Sequence, residues 1–341
     1  MRKWLLIIVA AALLCGYGIL LASMPGPTLQ PVPETTPPPS TEMLPPENTT
    51  PPETTAPPET TEEPSPTEET SAPTADPDYV LKARNAFVYD CGTGQLRFVQ
   101  GDMHAPLAPA SLTKLLTAYI ALECLTPQQI IVCGEEVKWI DPQSSVAWVG
   151  KGDRVTVHKL IQGMMMQSGN DAAYVVAVAA GREIAEDTQL DEEAALAVFM
   201  DRVNARAEEL GLNGTHFDTP DGVDTDSHYT TMADMLSIAL LAREQPLIRH
   251  YTGLAESTVT YENSETHTYR NTNFLLQPDS KYYHPDACGM KTGTTKKAGS
   301  CLMSLFHNGE GYVLIGVFGC PKYEDRFADA LQLYALYGGA L

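Results

Sequence analysis

The chain has 341 residues and a formal net charge of −21, with 22 Lys and Arg against 43 Asp and Glu. That length allows one or two domains with a sizeable core. The charge excludes a nucleic-acid binder, because no basic excess stands ready to displace counterions from a phosphate backbone.

Residues 1–24 read as an N-terminal membrane anchor. Arg2 and Lys3 precede Trp4 to Ala22, an uncharged run of 19 residues. At a 1.5 Å rise this run approaches the ~30 Å hydrocarbon thickness of a bilayer. A cleaved signal peptide is the alternative, but the exit LLASMPGP lacks an Ala-x-Ala-like site. Cys15 lies mid-span after Leu14 and reads as an ordinary apolar residue. Either reading puts the remainder outside the cytoplasm, with Arg2 and Lys3 marking the inner side.

Residues 25–77 read as a disordered stalk. They hold 17 of the 26 prolines, nine Glu, one Asp and no Lys or Arg, in repeated PPETT, PPET and EEPSP units. With almost no large apolar residues, folding could not recover the backbone entropy it costs. Proline bias and glutamate repulsion make the segment semi-extended, with a reach of at most about 160 Å at ~3.1 Å per residue. It has no basic flank of the kind a proline-rich docking ligand carries.

Residues 78–341 are the candidate folded domain, with a net charge of −13. Arg84 to Val99 reads as a hairpin around a Cys-Gly-Thr-Gly turn. Ser111 to Glu123 has helical periodicity, with Pro109 as a start signal. Val157 to Ala180 reads as two helices broken at Gln-Ser-Gly-Asn-Asp, and Asp191 to Leu210 as a long amphipathic helix ended by Gly211. A polar loop from His216 to Tyr229 leads into a helix over Thr231 to Ala242. Cys288 to Thr294, Gly299 to Phe306 and Tyr312 to Phe318 read as strands, and Glu324 to Tyr337 as a last helix. Strands at both ends with helices between predict an α/β domain whose termini pair in one sheet beside a helical lobe. Its six cysteines include no Cys-x-x-Cys, so their spacing does not read as a zinc site.

Three motifs stand in order: Ser111-Leu-Thr-Lys114, Ser168-Gly-Asn170 and Lys291-Thr292-Gly293. A serine opening a helix shares a face with a lysine three residues on, so the amine can sit beside the hydroxyl. That hydroxyl is a poor nucleophile until a base takes its proton, and burial or neighbouring cations can free the lysine for this task. The helix start offers the Ser111 backbone N–H to a developing oxyanion. A Lys-Thr-Gly strand presents a cation, a hydroxyl and an open backbone to an extended peptide ending in carboxylate, the glycine sparing the substrate's path. Each motif occurs once, on a matching predicted element.

This triple resembles that of the low-molecular-mass penicillin-binding proteins, the serine-type D-alanyl-D-alanine carboxypeptidases. The likeness runs from about Ala83 to the C-terminus through PASLTK, QSGNDAA, LGLNGTHFDTPDGVDTDSHYTTMADM and GMKTGTTKKAGSCL. It implies a β-lactamase/transpeptidase-like α/β fold, an antiparallel sheet flanked by helices with a helical lobe. It implies peptidoglycan stem peptides as substrate, β-lactams as inhibitors, and neither metal nor other cofactor. It also implies roles: Ser111 is acylated, Lys114 is the general base, and Ser168 relays a proton to the leaving D-alanine. Asn170 then holds the peptide, Lys291 and Thr292 orient the terminal carboxylate beside Gly293, and Thr294 supplies the second oxyanion N–H. Arg326 matches an arginine placed near the substrate carboxylate, against the alternative of an ordinary exposed arginine at a helix start.

The neighbouring readings are a D,D-endopeptidase, a β-lactamase and a non-catalytic wall-binding surface protein. A class A β-lactamase needs a water-activating glutamate, and Glu209-Leu-Gly-Leu-Asn213 has that spacing. The polar end of an amphipathic helix is the simpler reading of Glu209. His216, His228 and Asp221 share one loop, where His228 reads as structural and Asp221 as a possible substrate contact. Met164 to Met166 read as core, and Lys296 and Lys297 as a local cationic offset.

Overall fold

The structure, a computed structural model, describes residues 75, 76, 78–309 and 311–339. The apolar run 4–22, and with it the expected membrane anchor, lies outside the described residues, as does the stalk up to residue 74. Among the described residues no helix is long and apolar enough to cross a membrane.

In chain order, β1 (Asn85–Asp90) and β2 (Gln95–Gln100) precede a 3-10 turn at Ala110–Thr113 and helix α1 (Lys114–Cys124). Next come β3 (Ile130–Val132), β4 (Arg154–Thr156), α2 (Val157–Met166), α3 (Asn170–Ile184) and α4 (Glu192–Glu209). Helices α5 (Met232–Glu244) and α6 (Pro246–Gly253) lead to the hairpin β5 (Glu256–Thr260) and β6 (Thr266–Arg270). The chain closes with β7 (Ala287–Thr295), β8 (Gly299–Asn308), β9 (Gly311–Cys320) and α7 (Asp325–Tyr337).

The expected pairing of the domain's two ends is present. An antiparallel sheet has the order β2-β1-β9-β8-β7, with Asn85 opposite Phe318 and Asp90 opposite Val313. Alternation along the strands gives the sheet two apolar faces. Phe87, Met303, Leu305 and Leu314 join the core of the helical lobe, whereas Val88, Phe306, Val313 and Ile315 pack with Phe327 and Ala330 of α7. The domain begins slightly earlier than residue 78. Asp329 of α7 accepts from the backbone of Lys82 and Ala83 and from the Tyr79 hydroxyl, and Asp76 is bonded to Gln332.

Helix α3 is buried without interruption from Asn170 to Gly181, as befits an apolar helix at the centre of a lobe. The Asp191 and Thr231 side chains cap α4 and α5, accepting from Ala194 N at 3.0 Å and Asp234 N at 3.1 Å. The β3/β4 pair, the β5/β6 hairpin and α6 lie where no element is expected from the sequence. The β5/β6 hairpin exposes alternate threonines and buries only Val259 and Tyr269 fully, and β3 and β4 are three residues each.

Helices α3 and α4 touch through Gly181, where an added Cβ would lie 1.8 Å from the Ala195 carbonyl oxygen. Gly181→Ala must push the helices apart, at a cost of about 2–3 kcal/mol. A thermal melt should show Tm falling by roughly 5–10 °C, and an unchanged Tm would contradict so close an approach.

Candidate active site

The turn carrying Ser111 is held from several sides. Pro109 opens it, and Ala110 adopts φ +51°, an uncommon conformation for a residue with a Cβ. The Thr113 hydroxyl donates to Ala110 O at 2.8 Å. Behind it stands His228, whose Nδ1 accepts from Asp218 N at 3.1 Å. Its Nε2 must therefore carry the proton and donate to Thr113 Oγ1 at 2.9 Å. Burial pushes His228 down to about 4, so the ring is neutral near pH 7. It is a strut for the turn. The adjoining loop requires Gly222, with φ +88°, since a Cβ there would lie 2.0 Å from Ala110 O.

Lys114, in the first turn of α1, is fully buried with its ammonium at the junction of three segments. Nζ donates to Ser111 Oγ at 3.0 Å, Asn170 Oδ1 at 2.7 Å and Asp221 O at 2.8 Å. Burial draws the group down from 10.5 to about 8, partly opposed by the charges of Asp221 and Asp171. The serine does not open the α-helix as expected. It sits in the 3-10 turn ahead of it, and the lysine begins the helix.

The second motif is the break between α2 and α3. Ser168 is buried with φ +61°, and Asn170 starts α3 with its amide N bound to Ser145 O at 2.8 Å. The next residue, Asp171, anchors the facing segment by accepting from Ala147 N at 2.8 Å and Val149 N at 2.9 Å. Trp148, between those two amides, is driven to φ +59°. Nothing in the sequence around Asp171 signals this contact with residues 22 to 24 positions away.

The third motif lies on β7, the sheet edge facing the Ser111 turn. The glycine also serves a contact within the protein. A Cβ at Gly293 would lie 3.0 Å from Ser111 N and 3.1 Å from Pro109 O, so its absence lets the strand pack against the backbone of the Ser111 turn. Lys291 is fully buried, donates to Thr292 O at 3.0 Å, and is held well below its usual range by burial and by the charges of Lys114 and Arg326. The Thr292 hydroxyl shares a 2.6 Å hydrogen bond with Thr272, a residue no motif pointed to.

Arg326 is fully buried rather than exposed at a helix start. Its guanidinium donates to Gly293 O at 2.9 Å, Cys301 O at 3.0 Å and Thr294 Oγ1 at 2.9 Å. It thus clamps the end of β7 and presents the exposed Thr294. Beyond Thr294, the Asp224 carboxylate accepts from Thr295 Oγ1 at 2.6 Å and Lys297 N at 2.8 Å, strapping the polar loop to the strand.

Most of the remaining candidates lie away from these contacts. Glu209, half exposed at the end of α4, pairs with Arg202 and Arg206, both at 3.1 Å. Met164, Met165 and Met166 are core. Asp221 contributes its carbonyl to Lys114, and its Oδ2 is buried without a partner among the described residues. A cavity of about 400 Å³ lies by the β7–β8 turn between Arg84, Leu107, His228 and Phe318, against the far side of the Ser111 turn's support.

Asp171→Ala would leave the Ala147 and Val149 amides buried without acceptors, at roughly 2–4 kcal/mol. Calorimetry should show Tm lowered by about 5–12 °C; a fall below 2 °C would mean that the segment is held by other contacts.

The arrangement is a serine beside a buried amine, with the start of the α3 motif bonded to that amine and a lysine-bearing strand packed against the serine's turn. Residues 69–321 match the family model described as D-alanyl-D-alanine carboxypeptidase. Over 256 residues the chain is 27% identical to the D-alanyl-D-alanine carboxypeptidase DacF of Bacillus subtilis, covering 74% of this chain and 61% of that protein. Among solved structures, the Streptomyces K15 DD-transpeptidase superposes with a TM-score of 0.67 at 27% identity, covering 76% of this chain and 98% of that one. Penicillin-binding protein D2 of Listeria monocytogenes, in its ampicillin-bound form, superposes with a TM-score of 0.61 at 26% identity, covering 77% and 100%. The chain spans about three fifths of the length of curated relatives such as the Bacillus protein. With the family match running through the whole sheet and all three motifs, the chain belongs to the D-alanyl-D-alanine carboxypeptidase family.

Proposed function

We propose that the protein is a serine-type D,D-carboxypeptidase that removes the terminal D-alanine from peptidoglycan stem peptides and is acylated by β-lactams. One observation carries the reading: the Lys114 amine is buried 3.0 Å from the Ser111 hydroxyl. As a neutral amine it keeps two N–H bonds to Asn170 Oδ1 and Asp221 O and turns its lone pair to Ser111. With the group at about 8, roughly a tenth is neutral at pH 7.

Ser111 Oγ attacks the penultimate D-alanine carbonyl while Lys114 takes its proton. The oxyanion is met by the N–H groups of Ser111 and Thr294, which the Gly293 contact keeps adjacent. The C–N bond then breaks, and the proton passes through Ser168 to the departing amine. Lys291, Thr292 and, through Thr294, Arg326 hold the terminal carboxylate. Water releases the acyl group with Lys114 again as base. Glu209, tied to Arg202 and Arg206, offers no water activation of the β-lactamase kind. The assembled nucleophile and base argue against a merely wall-binding protein.

We place the enzyme outside the cytoplasmic membrane, tethered by residues 1–24 and lifted by residues 25–77. The apolar run 4–22 and the unbroken Pro/Glu composition of the stalk support this.

Fluorescent penicillin should label the full chain covalently, and Ser111→Ala should abolish labelling. A chain that stays unlabelled, or labelling that survives the substitution, would overturn the reading. Because the base must be neutral, the acylation rate should rise about tenfold from pH 6 to pH 7 and level off above about 8. A rate flat across that range would remove Lys114 from the role.

A further inference from the structure

The cavity by the β7–β8 turn, of about 400 Å³, has the size of a small-ligand site. None of Ser111, Lys114, Ser168 or Lys291 lines it, so it stands apart from the proposed chemistry. Its walls are nonetheless segments that support the Ser111 turn. Residues 106–108 lead into that turn, and Leu107 pairs with Thr230 by two backbone bonds of 2.8 and 2.9 Å. His228, the strut of Thr113, lines it as well.

The lining carries charge of both signs. The Arg84 guanidinium is fixed through Nη2, which donates to Lys297 O at 3.3 Å and Ala298 O at 3.1 Å. That leaves Nη1, with its two protons, for an anion. Lys297 Nζ donates to Thr225 O at 2.9 Å and keeps two further protons. Asp226 is exposed on the same lining and forms no ion pair among the described residues. Leu107 and Phe318 add apolar surface, and the Tyr229 ring is 38% exposed.

A purely apolar occupant would leave both cations without a partner, and a polyanion would be repelled by Asp226. A ligand with a carboxylate and an ammonium on one flexible carbon frame answers all three charges. We infer that the cavity is a second, non-catalytic binding site for a peptide carrying both groups, the chemistry of a peptidoglycan stem peptide that contains a diamino acid. The inference rests on the carboxypeptidase reading for the source of the peptide, and it gives the enzyme a hold on the wall that leaves Ser111 free. Arg84 and Lys297 take the carboxylate, Asp226 takes the side-chain ammonium, and Leu107 and Tyr229 cover the carbon chain. Each exposed ion pair contributes little, so one site is weak by itself. A wall polymer presents many stem peptides, and a weak second site then raises retention without any new chemistry.

The probe is the tetrapeptide L-Ala-γ-D-Glu-L-Lys-D-Ala, titrated calorimetrically into the full chain after Ser111 has been acylated with penicillin. With the serine covered, the peptide should still bind at one site, with a Kd of about 0.1–1 mM. Asp226→Ala and Arg84→Ala should each weaken binding about fivefold. Acetylating the lysine of the probe should weaken its binding to the native chain by a similar factor and leave that to Asp226→Ala unmoved. Loss of binding on acylation, or a Kd that neither substitution moves, overturns the second site while the carboxypeptidase reading stands. If penicillin does not label the chain, that reading falls, and titration of the unacylated chain decides the cavity by itself: equal Kd values for the native and Asp226→Ala chains overturn it.

Discussion

The Lys114 ammonium is an ion taken out of water and met by three oxygens from three segments of the chain, two of them distant. Such a group is costly to bury unless its donors are matched, and here Ser111 Oγ, Asn170 Oδ1 and Asp221 O match them. Those partners lie 3, 56 and 107 residues away, so the contact exists only once α1, the start of α3 and the polar loop have docked. Strain gathers around the same point. Ala110, Trp148 and Ser168 are three of the five non-glycine residues with positive φ among the described residues. Each is pinned by neighbours that over-determine it: Ala110 by Thr113, Trp148 by Asp171, and Ser168 by the two helices it separates.

A second constraint is positive charge confined to a small volume. Lys114, Lys291 and Arg326 are all buried, and the first and last both depress Lys291. An anion entering between them would relieve that repulsion at short range, although the domain carries −13. Arg326 adds mechanical control, since its bonds to Gly293 and Cys301 lock two adjacent strands where β7 meets the Ser111 turn.

Much of this was legible in the sequence, for identifiable reasons. Helical periodicity marked α1, an amphipathic pattern marked α4, and apolar runs marked β7 to β9, because central elements bury one or both faces. The hairpin β5/β6 was not legible: its threonines face water and only Val259 and Tyr269 mark the core side. Within the site, motif order brought Ser111, Lys114, Asn170 and Lys291 to attention. Asp171, Thr272 and the neutral tautomer of His228 carried no local signal, since each acts through a partner far away in the chain. Gly293 was noticed for the space it leaves to substrate, and the structure adds that it makes room for the Ser111 turn.

The sequence by itself determined an apolar run, a Pro- and Glu-rich stretch, the order of the main elements that follow, and the residue types of the three motifs. These follow from composition and from periods of two and 3.6 residues, which are local properties. Only the tertiary structure decided that Lys114 is drawn toward 8, that Arg326 is a buried clamp, and that a cavity opens by the β7–β8 turn. Desolvation, clamping and concavity arise from which distant segments pack together, and no window of neighbouring residues contains them.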